Sequence, residues 1–439
     1  MLDFFTYAKR GARLPAAYRA VMPPLIQPRE KIFEARDAAL RRLITHAYHH
    51  VPYYRDLFDR NGIDHRDIRN AADLKRIPVS CKDDLRGVPP EKTLARGIDP
   101  NRLLEVKTSG TSGAPFTVRF TPLEYRLLGM TWYRPLQYFG RTRRSKVAVV
   151  IYSRLELERM NRLQEQIRRA VGFFPTLTIA MGMSPGKILK MLRWYRPDAL
   201  GAYSGVLLRV AELVTEADRR DMGVRTIFVG GEMLTESVRR RIASAFGAPV
   251  YNTYASEEFR MIGWECRESG AFHLCNTHLI VEILKNGRPA EPGERGELVA
   301  TNLVSYAMPF IRYRLGDVVT QGEEKCGCGL PYATIREIEG RSLDYFTMPD
   351  GRLLHPYDIA RVILDSGGWI RTHQLVQERR DRIVLWVETF GDPPPTAVRD
   401  LTRNVCRLLG PGIEFEVIPV AHIEPDPSGK LRYARSLVS

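Results

Sequence analysis

At 439 residues, with 44% hydrophobic and 27% charged side chains, the chain is too long for one ordinary core and excludes a fibrous or disordered reading. Its formal net charge of +15 suits a polyanionic partner: nucleic acid, an anionic membrane surface or nucleotide cofactors. The arginines lie scattered in pairs and triplets, such as Arg143-Arg144 and Arg239-Arg240-Arg241, without interleaved aromatics to stack on bases, so no nucleic acid is expected.

At the N-terminus, Met1 to Phe5 is broken by Lys9, Arg10 and Arg13 before a signal-like run develops. No later stretch approaches the roughly 18 apolar residues of a membrane span. A cytoplasmic protein is expected. From Arg29 to His50, Ile32, Ala35, Ala39, Leu40, Leu43, Ile44 and Ala47 recur at helical spacing, and Pro52 should end that helix. From Lys146 to Tyr254, short apolar strands alternate with amphipathic helices, the rhythm of a mostly parallel α/β sheet. Between Leu279 and Val319 strands joined by Asn286-Gly287 and Pro292-Gly293 turns point to a β subdomain, near 279–335. The last hundred residues mix both periodicities. The expected division is therefore 1–340, a large α/β body with its β subdomain, and 341–439, a small α+β domain.

Four segments carry chemistry. Thr108-Ser109-Gly110-Thr111-Ser112-Gly113, between two apolar segments, is a glycine- and hydroxyl-rich loop whose N–H and O–H donors suit a polyphosphate; a plain flexible turn is the other reading. It lacks the lysine of a Walker loop. Tyr254 to Glu258 ends a strand beside Gly231-Glu232, where ligands of parallel sheets bind, although paired acids also start helices. Asp317, after Gly316, suits a ribose diol or a plain turn. Lys430 stands at a Pro-Ser-Gly-Lys turn tip, where it can reach another domain or simply face solvent.

Six cysteines are too few for a disulfide scaffold, and four fall between Cys266 and Cys328, which points to a metal or to chance. Cys326-Gly327-Cys328 can present two thiolates to one ion, with Cys266 and His273 completing a tetrahedral zinc set and Cys275 and His278 as spares; reduced, unliganded cysteines are the alternative.

In this order and spacing the four segments resemble the AMP-forming adenylating superfamily of acyl-CoA ligases, luciferases and peptide-synthetase adenylation domains. His49-His50-Val51-Pro52-Tyr53-Tyr54, Ile77-Pro78 before Lys82, Tyr313 to Asp317 and Gly340-Arg341 resemble its phenylacetate–CoA ligase and CapK-like branch, over nearly the whole chain. The resemblance implies that Thr108 to Gly113 cradle the β- and γ-phosphates of ATP and that Gly231, Glu232 and Tyr254 border adenine. It further implies that Glu258 holds Mg²⁺, Asp317 the ribose, Arg341 the ribose or phosphate, and that Lys430 bridges the acid and the α-phosphate. Trp132, Tyr133, Tyr203 and Ser204 fall where relatives form the acyl pocket, with core aromatics as the alternative.

The implied reaction joins a small carboxylic acid to AMP, releases pyrophosphate, and then passes the acyl group to coenzyme A. Transfer to a carrier protein or an amine, AMP transfer to an acceptor, and a non-catalytic nucleotide-binding role stand as alternatives, and a homodimer is left open. The small C-terminal domain resembles a mobile lid. Leu343 stands where relatives commonly have the hinge acid, and Ala255 where many have Gly.

Overall fold

The computed structural model describes residues 21–107, 116–151, 174–232, 234–341, 345–366, 369–424 and 433–438. The polyphosphate loop Thr108 to Gly113, the hinge residue Leu343 and Lys430 lie outside the described residues. By its contacts the chain divides into two units, Met1–Tyr138 with Thr253–Arg341 and Phe139–Asn252 with Ser342–Ser439.

In the first unit the expected helix runs Arg29–His50 and buries Ile32, Leu40, Leu43, Ile44 and Ala47, whereas Ala35 is exposed. Pro52 ends it and also begins the helix Pro52–Arg60, because proline's missing N–H costs nothing at a first helical position. The strands Leu104–Lys107 and Thr117–Phe120 pair as an antiparallel hairpin, as their flanking position around the donor-rich loop requires. A mostly antiparallel sheet follows the order Arg288–Pro289, Leu279–Lys285, Arg295–Asn302, Tyr313–Gln321, Thr334–Arg341, Phe272–Leu274, Arg260–Glu265 and Val250–Ser256. The antiparallel stretch thus begins about twenty-five residues before the expected start at 279, since Tyr254 to Glu258 turns into a hairpin with Arg260–Glu265 rather than opening a helix. One core joins the two N-terminal helices to this sheet through Leu43, Tyr54, Phe58, Phe259, Phe310 and Tyr313.

The second unit holds the expected parallel strands, in the order Thr226–Gly230, Ala199–Ala202, Val147–Ile151 and Thr176–Ala180. The helices Pro185–Tyr195, Ser204–Ala211 and Glu236–Phe246 bury Leu192, Leu207 and Ile242 in its core. Residues 346–434 build a separate core from Phe346, Leu375, Leu385, Leu401 and Val405. There the helix Pro395–Leu409 is packed with the sheet Glu414–Pro419, Arg382–Thr389, Ile370–Arg379 and Ala434–Ser436. Among the described residues no helix is long and apolar enough to cross a membrane.

Candidate functional site

The segment from Thr301 to Asp317 is held from several sides. Arg312 has φ of +50°, a left-handed conformation that a side-chain-bearing residue adopts only when its surroundings over-determine it. Its buried guanidinium forks onto the Glu282 carboxylate at 3.0 to 3.2 Å and donates to the carbonyls of Lys75 and Ile77 at 3.1 and 2.7 Å. Its own N–H donates to Thr301 Oγ1 at 2.9 Å. The Tyr54 hydroxyl bridges the same loop, donating to the Pro309 carbonyl and accepting from the Ile311 N–H, both at 2.9 Å. The Tyr53-Tyr54 and Ile77-Pro78 motifs therefore act as a cradle for the segment that ends in Asp317.

Glu124 supports the loop from below. It closes the capping box of the helix Pro122–Met130 with Thr121, and its other oxygen accepts the N–H groups of Tyr306 and Ala307 at 2.6 and 2.9 Å. Burial pushes the Glu124 carboxyl up, against the opposing pull of those N–H donors. The Asn302 amide donates to the Glu258 carbonyl at 3.0 Å, and its oxygen accepts from Val304 and Ser305. Glu258 is thus fixed in the hairpin turn, with Arg260 just beyond it also at positive φ, +58°.

Three of the expected nucleotide residues converge on this frame. The Tyr254 hydroxyl donates to Asp317 Oδ2 at 2.5 Å, a short charge-assisted bond. Across the strand pair, Asp317 stands opposite Arg341. Tyr254 is buried to 6% exposure, so its ring is part of the core and its hydroxyl is the group directed to Asp317. In the same unit Trp132 is partly exposed and Tyr133 half-buried against the core.

In the second unit Tyr203-Ser204 and Gly231-Glu232 follow the carboxyl ends of the adjacent strands Ala199–Ala202 and Thr226–Gly230. Glu232 Oε2 accepts from Ser204 Oγ and from the Gly205 N–H, both at 2.9 Å. Its carboxylate therefore holds the first turn of the helix Ser204–Ala211, an arrangement favoured by the helix dipole. Gly231, at φ +76°, supplies the left-handed turn that brings Glu232 back.

Cys266, His273, Cys326 and Cys328 bring their ligand atoms within 4.8 Å of one another. Cys266 and Cys326 sulfurs lie 3.7 Å apart, and Cys328 Sγ is 3.4 Å from His273 Nε2. A tetrahedral zinc with bonds of about 2.3 Å to sulfur spaces its ligands about 3.8 Å apart, so the donor set fits that ion in spacing, number and chemistry. Strand pairing supplies the register, with Trp264 opposite His273 and the Cys266 N–H bonded to the Ala271 carbonyl. Burial holds His273 down to about 4, the neutral form a metal needs. At Cys266 burial works upward, but hydrogen bonds from Ser269, Tyr138 and the Glu268 N–H outweigh it and hold the thiol down to about 7. The spares Cys275 and His278 stay outside the quartet, their burial pushing the thiol up to about 12 and the imidazole down to about 3.

Sequence reasoning did not find Glu124, Asn302, Arg312 or Tyr54 as supports. The Thr121-x-x-Glu124 capping box was a visible signal for the first; the others reveal themselves only through long-range contacts.

No family model matches the chain. Over 435 residues, 92% of this chain and 96% of the relative, it is 26% identical to a phenylacetate-coenzyme A ligase of Thermus thermophilus. It is 27% identical over 288 residues to that of Escherichia coli, 64% of each chain, and 22% identical over 424 residues to the protein CapK of Staphylococcus aureus, 92% and 89%. The fold matches a 2-hydroxyisobutyryl-CoA ligase in the postadenylation state with R3-HIB-AMP, at TM-score 0.75 and 21% identity over 95% of this chain and 91% of that one. It also matches the Bacillus subtilis O-succinylbenzoate coenzyme A synthetase in complex with AMP, at TM-score 0.53 and 16% identity over 75% and 67%. The architecture is that of the AMP-forming adenylating enzymes. In sequence the chain is similar to phenylacetate–CoA ligases and to CapK.

Removing a buried, multiply bonded cation leaves Glu282 uncompensated, so Arg312→Ala is expected to cost about 3 to 5 kcal/mol in urea denaturation. Arg312→Gly, which relieves the left-handed backbone, should be about 1 kcal/mol less damaging; equal losses would show that the φ angle carries no strain.

Proposed function

We propose that the chain is an ATP-dependent, AMP-forming ligase that activates an aryl or related carboxylic acid as its acyl-adenylate and passes the acyl group to coenzyme A. The observation that carries this reading is the meeting of Tyr254 and Asp317 at 2.5 Å, with Arg341 opposite Asp317 in the strand register and the Glu258 hairpin pinned by Asn302. Likeness to phenylacetate-coenzyme A ligases across nearly the full length of one of them supports it.

In this reading Asp317, oriented by the Tyr254 hydroxyl, accepts from the ribose diol, and Arg341 lies near the ribose or phosphate. The turn at Gly231-Glu232 and the strand residue Tyr254 border adenine, and Thr108 to Gly113 donate to the β- and γ-phosphates. Glu258 would hold Mg²⁺, which when bound screens the charge that builds as the acid's carboxylate attacks the α-phosphate. Lys430 brings an ammonium to the same oxygens. The carboxylate oxygen bonds to the α-phosphorus as the bond to pyrophosphate breaks; the coenzyme A thiolate then takes the acyl carbon and AMP leaves. Residues 341–439 act as a lid between the two steps. Trp132, Tyr133, Tyr203 and Ser204 shape the acyl pocket, their aromatic faces suiting a flat acid.

Zinc would be bound by Cys266, His273, Cys326 and Cys328. With four protein ligands it is closed and structural, tying Phe272–Leu274 to the connection that precedes Thr334–Arg341. All six cysteines are unpaired, in keeping with a reducing, cytoplasmic setting.

Purified enzyme should release pyrophosphate from ATP only when a carboxylic acid is added, with an acyl-CoA as the product by mass. Release without acid dependence across a broad aryl and aliphatic panel would overturn the ligase reading, and an acylated carrier protein or amide in place of the thioester would reassign the acceptor. Lys430→Ala is expected to lower adenylation by at least about 10²-fold, while thioester formation from supplied acyl-adenylate persists. Elemental analysis should find one zinc per chain, lost in Cys328→Ser together with thermal stability.

A further inference from the structure

Tyr138 closes the six-residue helix Tyr133–Tyr138 and reaches the metal-binding quartet. Its hydroxyl lies 3.2 Å from Cys266 Sγ, and its ring meets the His273 imidazole edge-on at 5.5 Å. The Arg267 guanidinium stands 5.5 Å from the same ring. Two further groups address the sulfurs: the Glu268 N–H at 3.4 Å from Cys266 and Ser269 Oγ at 3.4 Å from Cys326. A thiolate on a metal has no proton to give, so the hydroxyls are the donors. Three thiolates around a divalent ion leave one excess negative charge in a buried place, which such donors offset.

The helix itself cannot stand alone. Six residues, one of them Pro135, are far too few for an isolated helix, so its place is set by what grips its side chains. Arg134 is one grip, fully buried and donating to the Pro23 carbonyl at 2.7 Å. Tyr138 is the other, at the opposite end from Tyr133, about 7 to 8 Å along the axis.

We infer that Tyr138 is a positioning residue that couples the metal centre to the acyl pocket: its hydroxyl fixes the Cys266 thiolate, and the occupied centre in turn fixes the helix that presents Tyr133. This rests on the zinc and acyl-pocket readings above. Metal occupancy then sets how well the acid is held, although no metal ligand touches the acid.

The test uses the full-length, metal-loaded enzyme and its Tyr138→Phe and Ser269→Ala variants. Tyr138→Phe should bind zinc about 10-fold or more weakly in competition with a chromophoric chelator, shift the sulfur-to-metal charge-transfer band of the cobalt-substituted protein, and raise KM for the acid while leaving KM for ATP unchanged. Ser269→Ala, which removes a donor but not a helix grip, should weaken zinc without moving KM for the acid. Unchanged zinc affinity and cobalt spectrum in Tyr138→Phe would overturn the inference, and weaker zinc with an unchanged KM for the acid would overturn the coupling to the pocket. Wild-type protein that takes up neither zinc nor cobalt removes the zinc reading and this inference together. Absence of acid-dependent turnover in a zinc-binding wild type would instead strike the ligase reading, and the affinity and spectrum would still decide whether Tyr138 serves the metal.

Discussion

The fork between Arg312 and Glu282 is the interaction on which the rest of the first unit turns. Arg312 spans from the antiparallel sheet to the N-terminal segment around Lys75 and Ile77, and the bonds it makes hold its own backbone in a left-handed turn. That turn aims the strand Tyr313–Gln321, and hence Asp317, toward Tyr254. Tyr54 and Glu124 reach the same loop from other elements. The loop's polar backbone is thereby paired by buried side chains, which an irregular segment inside a core requires.

The metal quartet answers a different need. The strand Phe272–Leu274 has only three residues, and one of its neighbours is entered from a long glycine- and cysteine-containing connection. Such a short strand gains little from its ladder alone. Cys326 and Cys328 lie on that connection, His273 on the strand itself and Cys266 just past the neighbouring strand, so the quartet brings all three segments together.

Much of this was legible in the sequence, for identifiable reasons. The strand and helix alternation from 147 to 250 follows from apolar periodicity, and the structure has its strands where the pattern falls. The cluster of Cys266, His273, Cys326 and Cys328 was readable because the cysteines fall close together in the sequence and ligand chemistry restricts the choice of residue types. Tyr254 and Asp317 stood out by motif, yet their contact did not, since a 63-residue separation leaves no local trace. The hairpin at Glu258 was obscured by its paired acids, which fit a helix start equally well, and the left-handed Arg312 was hidden because nothing in local propensity favours arginine there. The grouping of 139–252 with 342–439 likewise depends on contacts between distant segments.

Glu232 carries an evolutionary corollary. One of its carboxylate oxygens serves two donors on the neighbouring turn, Ser204 Oγ and the Gly205 N–H. Substituting position 204 by a residue without a hydroxyl therefore alters the seat of Glu232. In the proposed reading, where Ser204 shapes the acyl pocket and Glu232 borders adenine, drift in acid preference through position 204 is pleiotropic, because a variant that acquires a new substrate there also disturbs the Gly230 to Glu232 turn.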